Sequence, residues 1–297
     1  MLVGMLSLRL ATTLLPLAWV AACGGAASPP AAGKVDVVTA AYPFEWLAEQ
    51  VGGPDVTVTD LVKAGAEPHD VELSPRQVVT IKTAALVVYL RGFQPAVDAA
   101  VGEADHPPLD IGTVVAQQPL VGGDEASSKD PHVWLDTVRM QTIATALGER
   151  LAQRDPEHAV GYRSRAAATV GRLAGLDAVF RTSLTGCRTT DLVTSHSAFG
   201  YLAGRYGLVQ RGISGLNPDT EPTPGRIAAV TLFARQNHVT TIFFESLVDP
   251  KVANTVASEV GARTAVLDPV EGVRNGDDYL AVQTRNAAAL HLALGCS

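Results

Sequence analysis

Basic charge is scarce in this chain. Its 23 Lys and Arg face 30 Asp and Glu, for a net charge of −7 over 297 residues. That balance argues against a nucleic-acid partner, because neutralising phosphates takes a basic face. Aromatic residues make up only 5%, which weakens any reading built on stacking sugars or bases. Neither an HExxH helix motif nor a CxxC pair occurs, so the common local zinc signatures are missing. No block of like charges marks an interaction tail. Past the first thirty residues, no run approaches the roughly 20 apolar residues that a membrane span needs. What remains is the composition of a packed globular protein, 47% hydrophobic and 18% charged. Its length suits one large or two medium domains.

The N-terminus has a leader pattern. Arg9 is the only charge before an apolar run from Leu10 to Val20, which is too short to cross a bilayer stably. The run ends in Val20-Ala21-Ala22-Cys23, small residues before a cysteine, as in a bacterial lipobox. The expectation is a signal peptide over 1–22, an acylated Cys23, and a tether over 23–34 rich in Gly, Ala, Ser and Pro. An ordinary leader cleaved near Ala22 is the alternative, but it leaves a free thiol in an oxidising compartment. Cys187 and Cys296 then form an even remainder, which outside the cytoplasm favours a disulfide over two buried thiols or metal ligation.

Short β-branched runs alternate with helical patterns along the rest of the chain. Val35–Ala40, Val56–Leu61, Ala85–Leu90, Leu192–Ser195, Thr240–Glu245 and Thr264–Leu267 read as buried parallel strands. Amphipathic stretches lie among them at Ser74–Thr83, Asp136–Leu151, Pro224–Gln236, Pro250–Val260 and Asp277–Leu294. The alternation predicts an α/β fold built from doubly wound sheets. Asp155 to Leu184 breaks the rhythm with apolar residues at three- and four-residue steps, and Asp155-Pro156 is a good helix start. A helix of about 28 residues would run roughly 42 Å and could join two lobes as one stiff connector. The expected division is an N-terminal lobe over 35–152, a linker helix over 153–185 and a C-terminal lobe over 186–297. No repeat is evident at the residue level.

Three of the seven histidines stand apart. His69 and His132 each follow a proline in a loop, and His196 directly follows the strand Leu192–Ser195. Asp268 follows the strand Thr264–Leu267 in the same way. Ligands of open α/β sheets bind beyond the carboxyl ends of the strands, so two candidates from each lobe would meet in the cleft between them. Three imidazoles and a carboxylate make a closed tetrahedral zinc shell. Taken alone, the placements leave metal ligation and ordinary structural histidines both open. His106, His158, His238 and His291 read as solvated residues.

Longer motifs surround these positions. Glu67-Pro68-His69-Asp70-Val71-Glu72-Leu73-Ser74-Pro75, Asp130-Pro131-His132-Val133-Trp134-Leu135-Asp136 and Ser195-His196-Ser197-Ala198-Phe199-Gly200-Tyr201-Leu202 occur in order, followed by Ile242-Phe243-Phe244-Glu245 and Val266-Leu267-Asp268-Pro269. Together they resemble the zinc- and manganese-binding class of ABC-transporter solute-binding proteins, over essentially the whole chain from Val35. The resemblance implies two α/β lobes joined by one long helix, with the metal buried between them on His69, His132, His196 and a carboxylate at Asp268. It also implies delivery of the ion to a membrane permease driven by a cytoplasmic ATPase. Manganese-selective members usually carry glutamate at the position of His196, so histidine there favours Zn2+ over Mn2+, as nitrogen donors do. Many zinc members have a long histidine-rich loop before the second ligand; Leu120–Lys129 is short and has no histidine.

Asp70, Asp130, Glu221 and Glu245 are the candidates for orienting the bound imidazoles through their second N–H. Helix capping is the competing role for Asp130 and Asp136. Trp134 reads as core packing. The expected molecule is thus a non-enzymatic monomer, lipid-anchored on the extracytoplasmic face of a bacterial membrane and without a nucleic-acid partner. A zinc hydrolase, with Glu67 or Glu245 as its base and an open coordination position, is one rival. A metal-binding adhesin or structural lipoprotein is the other.

Overall fold

A computed structural model describes residues 33–63, 65–120, 129–272 and 277–297. The expected leader, Cys23 and most of the tether lie outside these residues, as does nearly all of the histidine-free loop. Residues 33–297 fall into one compact unit.

The first half runs β1 (Val35–Thr39), α1 (Tyr42–Gly52), β2 (Val56–Asp60), α2 (Pro75–Thr83), β3 (Leu86–Tyr89), α3 (Pro95–Gly102) and β4 (Leu109–Asp110). Central β3 is buried throughout, as the run Leu86-Val87-Val88-Tyr89 requires of a strand covered on both faces. Helix α2 starts where a capping box fixes it: Ser74 accepts from the Gln77 backbone, and the Gln77 side chain reaches back. The strands are all parallel in the order β2-β1-β3-β4, with Val37 beside both Val58 and Leu86.

The chain then enters α4 (Thr137–Arg154) and α5 (Ala159–Ser183), and continues as β5 (Asp191–Thr194), α6 (Gly200–Tyr206), β6 (Val209–Gly212), α7 (Pro224–Gln236), β7 (Thr241–Phe244), α8 (Lys251–Val260), β8 (Arg263–Val266) and α9 (Tyr279–Leu294). The second sheet is also parallel, ordered β6-β5-β7-β8. Its winding copies that of the first sheet, a repeat invisible in the residues because core packing needs only volume and polarity to match. In each sheet the chain leaves the first strand to one side and later returns to the other. The loops after the first and third strands therefore diverge and open a crevice at the carboxyl ends.

Several elements carry too little sequence signal to be anticipated. β4 has two residues, edge strand β6 is Val-Gln-Arg-Gly, and α6 is only seven residues long. Helix α1 buries most of its surface, so no polar face marks its period. The expected 155–184 helix is also shorter. Pro156–His158 forms a separate 3-10 turn before α5 begins at Ala159, and the Asp155 carboxylate accepts from His158 Nδ1 (2.7 Å) and the Tyr162 hydroxyl (2.9 Å).

That turn makes α4 and α5 an antiparallel hairpin. A Cβ on Gly148 of α4 would stand 2.7 Å from Ala166 of α5, so glycine permits the close crossing. At 25 residues α5 is about 37 Å long. It is held to the first lobe by Arg165, which donates to the Val51 and Gly52 carbonyls and to Asp55. Its far end stacks Phe180 on Tyr206 of α6. One core runs continuously through both lobes, from Phe44 and Trp134 through Leu147 and Phe180 to Leu192 and Leu290. Smaller clusters lie beneath α2–α3 and α7–α8, on the other face of each sheet. A disulfide joins Cys187, just past α5, to Cys296 near the C-terminus.

Candidate metal centre

The crevices of the two sheets face one another, and their loops bring together His69, His132, His196 and Glu271. Their ligand atoms all lie within 4.8 Å of each other. His132 and His196 are fully buried, Glu271 is 2% exposed and His69 is 9% exposed. A cavity of about 660 Å3, lined by Phe93, Lys129, Pro131 and Asn217 among others, opens onto His69.

Each side chain is fixed from below. The His69 loop is tied by Gln94, whose amide donates to the Pro68 carbonyl (2.8 Å) and to that of Ala40 after β1 (2.9 Å). Glu67 accepts the His69 backbone N–H through both carboxylate oxygens, and Phe93 packs edge-on against the ring. His132 opens a 3-10 turn; its Nδ1–H donates to Asp130 Oδ1 at 2.7 Å, and its backbone N–H donates to the same oxygen. His196 stands at the C-terminal end of β5 and donates through Nδ1 to Glu245 at 2.6 Å, which ends β7. This pair therefore occupies the topological switch of the second sheet. The turn after His196 needs Gly212, where a Cβ would lie 2.4 Å from the Ser197 hydroxyl and 2.8 Å from its backbone nitrogen.

With Nδ1 committed as a donor, His132 and His196 aim the lone pairs of Nε2 into the cluster. His69 Nε2 lies 3.2 Å from His132 Nε2, which lies 3.4 Å from that of His196. Glu271 Oε1 stands 3.0, 3.3 and 3.7 Å from the Nε2 atoms of His132, His69 and His196. Donors about 2.0–2.1 Å from a tetrahedral zinc are separated by about 3.3 Å, and five of the six donor–donor distances, at 3.0–3.7 Å, lie near that value. Four electron-rich atoms facing one another require a cation or protons between them.

The titration behaviour follows from this crowding. Burial lowers the His132 pKa, but hydrogen bonds and charge from Asp130 and Glu271 outweigh it and raise it to about 10. His196 is likewise raised, with Glu245 and Glu271 overriding burial. His69 is lowered, mainly by burial. Burial pushes Glu271 upward, yet the surrounding imidazoles hold it far below the usual carboxylate range. Glu67 is raised to about 7 by burial and by the charge of Glu271.

The fourth donor differs from the sequence expectation. Asp268 is not in the cluster: one carboxylate oxygen faces the Ser246 hydroxyl and the other accepts the Val270 N–H at 2.8 Å. That Asx turn, with Val270 at φ +60°, throws Glu271 inward instead. A β-branched residue in this region costs about 1–3 kcal/mol, and the surroundings impose it. Asn286 pairs with the Asp268 backbone on both sides, and the Trp134 indole N–H donates to the Pro269 carbonyl at 2.7 Å. Trp134 thus packs in the core and also seats the Glu271 loop. The available signal was Asp268-Pro269-Val270 itself, since aspartate commonly caps its own turn two residues on.

Of the other sequence candidates, Asp130 and Glu245 hold ligand rings, whereas Asp70 is exposed and accepts from Asn217. Glu221 is exposed and not among the clustered donors. Asp136 caps α4 through the Val138 and Arg139 amides.

Fold and site define a class: a solute-binding protein of two parallel α/β lobes with an ion-sized cluster largely buried between them. A family model described as the periplasmic component A of a zinc-uptake complex, ZnuA, matches residues 37–293, and the chain belongs to that family. It is 31% identical to the high-affinity zinc uptake system protein ZnuA of Bacillus subtilis, across 91% of this chain and 92% of that protein. It is 32% identical to the zinc-binding lipoprotein AdcA of Streptococcus pneumoniae across 87% of this chain, but spans only 55% of AdcA. The Zn(II)-bound ZnuA-like domain of S. pneumoniae AdcA superposes with a TM-score of 0.75 at 32% identity, covering 88% of this chain and 99% of that one. The laminin-binding protein Lmb of Streptococcus agalactiae, described as both adhesin and metal transporter, gives 0.80 at 29% identity with the same coverage.

Proposed function

We propose that this chain captures one Zn2+ on His69, His132, His196 and Glu271 and delivers it to an ABC-type importer. It would act as a lipoprotein held by Cys23 on the extracytoplasmic face of the cell membrane. The observation that carries the reading is the convergence of three imidazole nitrogens and one carboxylate oxygen within 4.8 Å of one another, two of the rings pinned by carboxylates. Four protein donors leave no coordination position for an activated water, which favours a carrier over a hydrolase. Nitrogen-rich ligation favours zinc over manganese. The family and its zinc-uptake relatives support the transport role.

The test is metal analysis and competition titration of residues 33–297 with Zn2+ and Mn2+. One zinc per chain is expected, with at least one proton released per ion at neutral pH, because His132, raised to about 10, holds a proton there until the metal displaces it. His132→Ala should lose affinity by orders of magnitude. Substoichiometric zinc in the wild type, or an unchanged His132→Ala, would sink the assignment.

A further inference from the structure

The residue that holds the His132 limb in place belongs to the other lobe. Tyr201 lies on α6, five residues beyond His196, and is 1% exposed. Its hydroxyl donates to the Asp130 carbonyl and accepts the Gln118 backbone N–H, each at 2.8 Å. The Asp130 N–H donates in turn to the Gln118 carbonyl at 2.9 Å. One phenol oxygen therefore closes a ring of backbone bonds beside the isolated antiparallel bridge between Pro119 and Lys129. Asp130 is also the residue whose carboxylate grips both Nδ1 and the backbone N–H of His132.

Two further observations fit a built seat. The residue before Tyr201 is Gly200, where a Cβ would lie 2.7 Å from Asp130 Oδ2; only glycine lets α6 come this close to the carboxylate. The Arg139 guanidinium lies 4.9 Å from the centre of the Tyr201 ring and donates to the Ala116 carbonyl, closing the far side. Burial raises the Tyr201 pKa to about 12, so its hydroxyl keeps the proton that it donates.

The geometry points to Tyr201 as a positioning residue for the metal site: from the C-terminal lobe it fixes the Asp130–His132 unit of the N-terminal lobe and so sets the lifetime of the bound ion. The segment Ser195-His196-Ser197-Ala198-Phe199-Gly200-Tyr201 thus carries one ligand and the support of another. Seated lobes present His132 and His196 together, and separation of α6 from Asp130 releases the aim of His132. The inference rests on the zinc-site reading above.

Tyr201→Phe removes the hydroxyl and nothing else. Losing a partner that orients a metal-bound histidine typically costs 10–100-fold in affinity; acting one bond further out, Tyr201→Phe should release zinc about tenfold faster. Tyr206→Phe is the matched control. It deletes a half-buried α6 hydroxyl, bonded to Thr137 and Asp177 but not to the His132 limb. Stopped-flow transfer of zinc to a chelator would give the release rates, and the Co2+ absorption spectrum would report the ligand geometry. The expected result is faster release and an altered Co2+ spectrum in Tyr201→Phe alone, with similar losses of metal-free thermal stability in both variants. Wild-type release from Tyr201→Phe would overturn the assignment, and so would equal acceleration in Tyr206→Phe, which would mark general lobe adhesion. A wild-type protein that binds no zinc would instead refute the site itself.

Discussion

Replacing Glu271 by glutamine removes a charge from the metal cluster while keeping the side-chain shape. The carboxylate stands 3.0–3.7 Å from three imidazole nitrogens and is 2% exposed. Taking one partner from a buried ionic group costs about 3–5 kcal/mol, which at 1.4 kcal/mol per decade is about two to three and a half decades in Kd for zinc. Asp268→Asn provides the contrast. Its amide oxygen still accepts the Val270 N–H, and the Ser246 hydroxyl can turn to accept from the new N–H2, so the Glu271 turn survives and affinity should fall by no more than about tenfold. Competition against a zinc chelator, with circular dichroism to verify folding, would rank the two. A large loss in Asp268→Asn with near-wild-type binding by Glu271→Gln would return the fourth ligand to Asp268 and refute the geometric reasoning.

Replacing both Cys187 and Cys296 by serine opens a loop of 109 residues. The double variant should lose about 4–5 kcal/mol in denaturant unfolding in the chain-entropy model, with zinc stoichiometry unchanged; equal stability of the two proteins would argue against the bond. Asp60 at the end of β2 is raised to about 8 by burial and then by the charge of Glu45, against the pull of its Thr39 hydrogen bond. A carboxyl that binds its proton more tightly when folded loses stability as pH rises from about 4 to 8. The advantage of Asp60→Asn over wild type should therefore grow across that window by about 1.4 kcal/mol per pH unit, to about 5 kcal/mol, and then level off. Melting curves at pH 5 and 9 that showed the same difference between the two proteins would contradict this.

How much of this was legible beforehand differs between fold and site. Strands such as Leu86–Tyr89 announced themselves because burial on both faces demands an unbroken apolar run, the 137–154 helix because its cap and period agree, and the 224–236 helix through its Thr223 cap and Pro224 start. Elements whose stability comes from neighbours, such as α6 and β4, left no local signal. Both orienting carboxylates, Asp130 and Glu245, stood among the sequence candidates, since each lies beside a histidine motif or at a strand end. Asp70 and Glu221 stood there equally well, and only coordinates separate a carboxylate that meets a ring from one that meets solvent.

By itself the sequence determined the chemistry available: three loop histidines in extended motifs, acidic partners nearby, and two runs of alternating strands and helices to carry them. Those properties are local, set by residue type and spacing. Tertiary structure decided which atoms meet. The left-handed Val270 and the Asx turn of Asp268 deliver Glu271 to the metal cluster, and a tyrosine from one lobe steadies a histidine of the other. Neither follows from spacing along the chain, because each depends on contacts between segments tens to over a hundred residues apart, where backbone strain and burial are balanced by the whole core.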